Sequence, residues 1–157
     1  MFSWPNKLKP TERTELCSSI DIVPTILAAA ESTGLADLPG LNLLENLSTG
    51  KPIPRQSIFG ESFAHDIADL DKPEASLLYR WCITGKWKLI LTYDGEDNRP
   101  PKNHPPAGKR PQLFDLIADP SELKNLAGQH PEVVAGLAAK IEDWYPVKER
   151  KALTKFE

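Results

Sequence analysis

Between Ile20 and Ala30 apolar residues crowd a short segment. Ile22, Ile26 and Ala29, flanked by Val23, Leu27 and Ala30, form a broad apolar face at helical spacing. Ser18 or Ser19 can cap the start, and Pro24 falls in the first turns, where its missing amide costs least. Thr33-Gly34 ends the run, so the spacing predicts a helix from about 19 to 31. The preceding residues, 5 to 15, are polar with two prolines and predict a surface loop. Residues 34 to 54 hold Leu-Pro-Gly and Ser-Thr-Gly-Lys-Pro and predict mostly loop, with Leu41, Leu43, Leu44 and Leu47 as packing points.

The period then changes from helical to alternating. Residues 57 to 63 are compatible with a strand. Residues 77 to 84 and 86 to 93 form the best hairpin, with Thr84-Gly85 near its turn. On the second arm Trp87, Leu89 and Leu91 share one face. Lys86, Lys88, Ile90 and Thr92 share the other, which predicts an outward, solvated lysine row. Residues 94 to 111 are dense in Pro, Gly and charge, the composition of a long irregular loop. Residues 112 to 116 supply a fourth strand. Pro131 starts a last helix, running to about 144, on which Val133, Val134, Leu137, Ile141 and Trp144 or Tyr145 line one side. The expected fold class is α+β: a four-stranded antiparallel sheet with a C-terminal helix across one face, preceded by a helix and a loop.

Composition narrows the function classes. The net charge of −3 and the absence of a Lys/Arg stripe argue against non-specific nucleic-acid binding. The apolar stretch at 20–30 is too short to span a membrane and contains Asp21 and Pro24. No signal-peptide pattern opens the chain. Two cysteines, Cys17 and Cys82, do not make a disulfide framework, and a single bridge between them is left open.

Three segments carry a resemblance. Leu113 to Ala127 reads L-F-D-L-x-x-D-P-x-E-x-x-N-L-A, a strand followed by an Asp-Pro turn. Pro120 suits a first helical position, Asp119 can cap free amides, and Glu122 stands at capping-box spacing. Ser18 to Leu27 reads S-x-x-D-x-x-P-T-x-L, and Gly85 to Ile90 reads G-x-W-K-L-I. In that order these segments resemble the C-terminal part of the sulfatase family. The resemblance implies that residues 1–50 are the last part of an alkaline-phosphatase-like α/β catalytic domain and residues 51–157 its C-terminal subdomain. It also implies that the catalytic machinery, a formylglycine beside a calcium ion, lies elsewhere in a parent enzyme. Neither Cys17 nor Cys82, nor any serine, begins the C/S-x-P-x-R motif from which formylglycine is made. No Asp-Asp pair is present to start a calcium site. No catalytic residue, metal ligand or cofactor is therefore expected in this chain, which reads as a piece of an enzyme that is inactive alone. The implied partners are the missing catalytic domain and a sulfated glycan. The compartment stays open, although such parents are commonly secreted, periplasmic or lysosomal.

Candidate substrate contacts follow the first subdomain strand in Gly60-Glu61-Ser62-Phe63-Ala64-His65-Asp66. Sulfated sugars present hydroxyls and anionic groups, so His65 and Arg80, with Glu61, suit the rim of a pocket. Arg80 is expected to be exposed for this role. The ordinary alternative is a Glu61–Arg80 pair across neighbouring strands, with His65 solvated. His65, Asp66, Asp69 and Asp71 lack the Gly and closing Glu of a calcium loop. His104 and His130 are isolated. Ser62, His65 and Asp66 stand too close in sequence for a catalytic triad. A free-standing module that binds an anionic glycan or a protein is the alternative function.

Overall fold

The chain is described by a computed structural model covering residues 1–32, 37–64, 68–93 and 111–147. Two compact units are formed, Met1–Ile58 and Phe59–Glu157.

In the first unit a 3-10 turn at Ser19–Asp21 leads into α1 (Ile22–Ala29). The helix stops earlier than its apolar pattern predicts. Glu31 adopts a left-handed φ of 55°, and Ser32 N–H closes back on the Leu27 carbonyl at 3.0 Å. Thr33 and Gly34, the expected terminator, lie outside the described residues. Residues 44–49, expected as loop, form the short helix α2 (Leu44–Thr49). Gly50 ends it at φ 79°, a backbone angle that only glycine adopts without strain.

The centre of this unit is polar. Asp21 is fully buried, and its carboxylate accepts from Ser18 N–H at 2.7 Å and Leu41 N–H at 2.8 Å. It also pairs with Arg55. One turn later, Thr25 Oγ1 donates to the Asp21 carbonyl at 2.6 Å and accepts from Leu43 N–H at 3.0 Å. Two side chains thus fasten the helix start to the 41–43 backbone. Gly40 allows the approach, since a Cβ there would lie 2.0 Å from the Ile20 carbonyl oxygen. The apolar residues of α1 do the opposite. Ile22, Val23 and Ile26 remain 45%, 51% and 57% exposed.

The second unit holds the expected sheet. Strands β1 (Ser57–Phe63), β2 (Leu77–Thr84), β3 (Trp87–Thr92) and β4 (Gln112–Asp115) lie in sequential order and are antiparallel. Short connections permit only that arrangement between β2 and β3. Their turn is the two-residue Gly85-Lys86, closed by the pair Thr84↔Trp87. Gly85 takes φ 57° at the position where a II′ turn requires a positive angle.

Helix α3 (Pro131–Trp144) starts on Pro131 and buries Val134, Leu137 and Ile141. They meet Cys82, Leu89, Leu91 and Leu113 in the core, and such side chains contribute about 1.5–3 kcal/mol each when fully buried. Gly60 in β1 leaves room for Trp81 of β2. A Cβ at position 60 would sit 2.3 Å from the indole.

The Asp-Pro segment after β4 departs from its expected capping box. Asp119 does bind a later amide, Lys124 N–H at 2.8 Å, but no helix starts at Pro120. Glu122 takes a left-handed φ of 55° and turns its carboxylate to Lys88 at 2.7 Å. Asn125 fastens the segment to β4. Its Oδ1 accepts from Leu113 and Ala127 N–H at 3.0 Å, and its Nδ2 donates to the Pro111 carbonyl at 3.1 Å.

Asp21→Ala should destabilise the first unit by about 3–5 kcal/mol, because Arg55 would be left as a buried cation without its carboxylate. Hydrogen exchange over residues 18–43 measures this, with protection lost there while β2 and β3 keep theirs.

Acid acts through depressed carboxylates. Glu15 is held at about 2, below its ordinary 4.5, chiefly by its hydrogen bond from Arg13. Between those values the folded unit binds fewer protons than the unfolded chain. The contribution of the pair is therefore complete above about pH 4.5 and is lost as the pH falls towards 2. The titration of Glu15, followed by carboxyl NMR shifts, should show this midpoint. Arg13→Met should raise it towards the ordinary range, with the backbone hydrogen bonds to the carboxylate keeping part of the depression.

Candidate functional site

The expected rim residues have separate fates. Glu61 is exposed on β1. His65 and Asp66 lie outside the described residues, as do His104 and the 94–110 segment. Arg80 differs most from expectation, being only 2% exposed.

The burial of Arg80 has a physical cause in the end of α3. The last carbonyls of a helix have no partner within it and carry the negative end of its dipole. Arg80, near the middle of β2, reaches them. Its Nη1 donates to the Tyr145 carbonyl and, at 3.4 Å, to that of Ile141. Nη2 donates to Glu142 Oε2 at 2.8 Å, and Nε to Tyr93 Oη at 2.6 Å. The guanidinium also lies 5.2 Å from the centre of the Tyr93 ring. Its carboxylate partner is thus Glu142 on α3, not Glu61 on the neighbouring strand. Glu142 uses its other oxygen to accept Val147 N–H at 3.2 Å. All three guanidinium nitrogens serve the fold, so the expected exposure is corrected: the cation caps a helix end.

The lysine row is corrected at Lys88, whereas Lys86 stays exposed as expected. Lys86 binds Asp115 at 2.6 Å and stands 4.6 Å from the centre of the Trp87 ring. Asp115 is held below the usual aspartate range, first by that hydrogen bond and then by the amide of Ala118. Lys88, its side chain 21% exposed, is clasped by both oxygens of Glu122 at 2.7 and 2.8 Å. Trp87 packs against the core as expected, and its ring meets His130 at 5.0 Å.

Asp69 Oδ1 accepts Asp71 N–H at 2.9 Å, a local turn. Among the described residues no three His, Cys, Asp or Glu side chains gather to hold a metal ion. Cys17 is exposed, Cys82 is buried, and the two are not bridged by a disulfide. No helix among the described residues is long and apolar enough to cross a membrane.

No family model matches the chain. It is 34% identical over 143 residues to N-acetylgalactosamine-6-O-sulfatase of Bacteroides thetaiotaomicron, a match covering 88% of this chain and 25% of that enzyme. Against human arylsulfatase K it is 31% identical over 139 residues, covering 82% and 22%. A solved Bacteroides thetaiotaomicron structure, described with the metabolism of multiple glycosaminoglycans, superposes with a TM-score of 0.59 at 29% identity, covering 90% and 27%. The chain thus spans about a quarter of the length of the relatives it matches. Sequence and fold together point to the sulfatase family.

Arg80→Leu should cost about 2–4 kcal/mol in the second unit, since it removes the buried donor to the last α3 carbonyls. Urea unfolding followed by tryptophan fluorescence measures this. Glu142→Gln should cost less, because its side chain is 51% exposed and water can replace much of the pair.

Proposed function

We propose that this chain is the C-terminal part of a sulfatase. Residues 1–50 complete the edge of its catalytic domain, and residues 51–157 form the subdomain beside its pocket. The parent hydrolyses the sulfate ester or N-sulfate of a sulfated sugar or aryl substrate. The observation that carries this reading is the extent of the match, nearly nine-tenths of this chain against one quarter of a sugar sulfatase. The uncovered apolar residues of α1 support it, as a helix that spends its polar side chains inward leaves Ile22, Val23 and Ile26 for another surface.

Within this reading the chain contributes shape and binding. Glu61 and His65 stand on the rim, where a carboxylate accepts from sugar hydroxyls and an imidazole donates to sugar oxygens. Arg80 serves the same subdomain as a buried post that fixes β2 against α3. The residues of this chain do not fit the family's formylglycine or calcium. Neither cysteine is followed by the required Pro and Arg, and no ligand cluster forms among the described residues. Both groups belong, in this proposal, to the domain outside it.

The purified chain should give no turnover of an aryl sulfate or of N-acetylgalactosamine 6-sulfate. Fused after the first three-quarters of the Bacteroides sulfatase, in place of that enzyme's own last quarter, it should restore hydrolysis. In the fusion, Glu61→Ala or His65→Ala should lower kcat/KM by about 10- to 100-fold, the loss expected for one or two polar contacts. Turnover by the lone chain, or a folded fusion without activity, would sink the reading.

A further inference from the structure

Helix α3 ends in an aromatic group that none of the motifs accounts for. Trp144 stacks on Phe59 of β1, with ring centres 5.3 Å apart and planes 14° from parallel, and Tyr145 meets it edge-on at 6.0 Å. Phe59 and Tyr145 pack against the core, yet Trp144 remains 41% exposed. We propose that Trp144 and Lys140 form a binding surface for an anionic sugar unit, where a sulfated glycan rests a unit other than the one whose sulfate is removed. The choice of glycan rests on the reading above, and the surface itself on the geometry at this end of α3.

The position of Lys140 decides the charge of the ligand. Residues four apart stand about 5–6 Å from each other on one helix face. A helical side chain also leans back over the turn before it, which carries the Trp144 indole towards Lys140. Lys140 is exposed, and no described carboxylate pairs with it. Lys51, Lys86 and Lys88 differ in this, since each holds a carboxylate. A pyranose fits the pair. One face of its ring is a patch of C–H groups that stacks on an indole, and a sulfate or carboxylate at its edge reaches the ammonium. Phe59, Glu61 and Phe63 alternate onto one face of β1. Glu61, about 7 Å along the strand from Phe59, is exposed and can accept from the hydroxyls. Because Phe59 and Tyr145 already hold the indole, little freedom is lost when a sugar covers it. A protein partner fits less well. A stable interface needs about 800 Å² from each side, and this one ring stands among the exposed charges of Lys140, Glu142 and Asp143.

The test uses the whole chain and a hexasaccharide of alternating uronate and N-acetylgalactosamine 6-sulfate. Isothermal titration calorimetry should show binding by the chain, and about tenfold weaker binding by Lys140→Ala and by Trp144→Ala, the loss of one charged contact or one stacked ring. Lys140 makes no contact that the fold depends on, so Lys140→Ala decides the matter even where Trp144→Ala unfolds. Lys124→Ala removes the same charge from the exposed loop between β4 and α3 and should bind as the parent chain does. In the fusion, Lys140→Ala should raise KM for the hexasaccharide and leave KM for the monosaccharide N-acetylgalactosamine 6-sulfate unchanged. No binding by the chain, undiminished binding by Lys140→Ala, or equal losses in Lys140→Ala and Lys124→Ala would each overturn the proposal. A rise in both KM values would place Lys140 at the cleaved unit and overturn it as well. A folded fusion without activity would sink the sulfatase reading, while titration of the lone chain still decides the binding surface.

Discussion

A buried guanidinium organises the larger unit. Arg80 sits in the middle of a strand whose inward neighbours are apolar, and it is stable there because α3 ends above it. The helix terminus brings unpaired carbonyls and a carboxylate, and the cation brings donors in a fixed planar array. Each would be costly to bury alone. Together they set where α3 stops and which turn of it meets β2 and β3. The apolar contacts of Val134, Leu137 and Ile141 then follow, since side chains at that spacing face one side of a helix already held at its end.

The smaller unit is built on the opposite sign. Asp21 is the buried charge, and its partners are two backbone amides and Arg55. The three polar members of the S-x-x-D-x-x-P-T segment, Ser18, Asp21 and Thr25, are joined by this network, with Thr25 extending it to Leu43. The pattern that first suggests chemistry is therefore architectural. The same holds for Asp115 at the end of β4 and for Asp119 and Asn125 after it, each of which fixes backbone amides of the following loop.

Much of the fold was legible in the sequence, because alternation and helical spacing report burial directly. The alternating runs locate β1 and β2 with their observed ends, and the spacing of Val134, Leu137 and Ile141 locates α3. Three features were not legible, each for a physical reason. Helix α2 is six residues long and mostly polar, so it has no period to detect. Glu122 meets Lys88 across 34 positions, a contact that capping-box spacing cannot anticipate. Arg80 reads as an outward cation, because the acceptors that bury it are main-chain carbonyls, which every residue possesses and none advertises. Of the candidate site, the sequence locates Glu61 on its exposed strand, but it cannot distinguish a cation that awaits an anion from one already satisfied.

The contact between Gly60 and Trp81 has an evolutionary corollary. Glu61, the proposed rim residue, directly follows the glycine whose bare backbone carries the indole. A larger side chain at 60 has to displace the ring or shift the strand, and a shifted strand carries Glu61 with it. A smaller residue at 81 removes that conflict. Substitutions at the two positions are thus epistatic, and their order matters: a lineage that first reduces Trp81 becomes free to vary residue 60. One that keeps the indole holds the neighbouring carboxylate in a fixed place, whatever else changes along the strand.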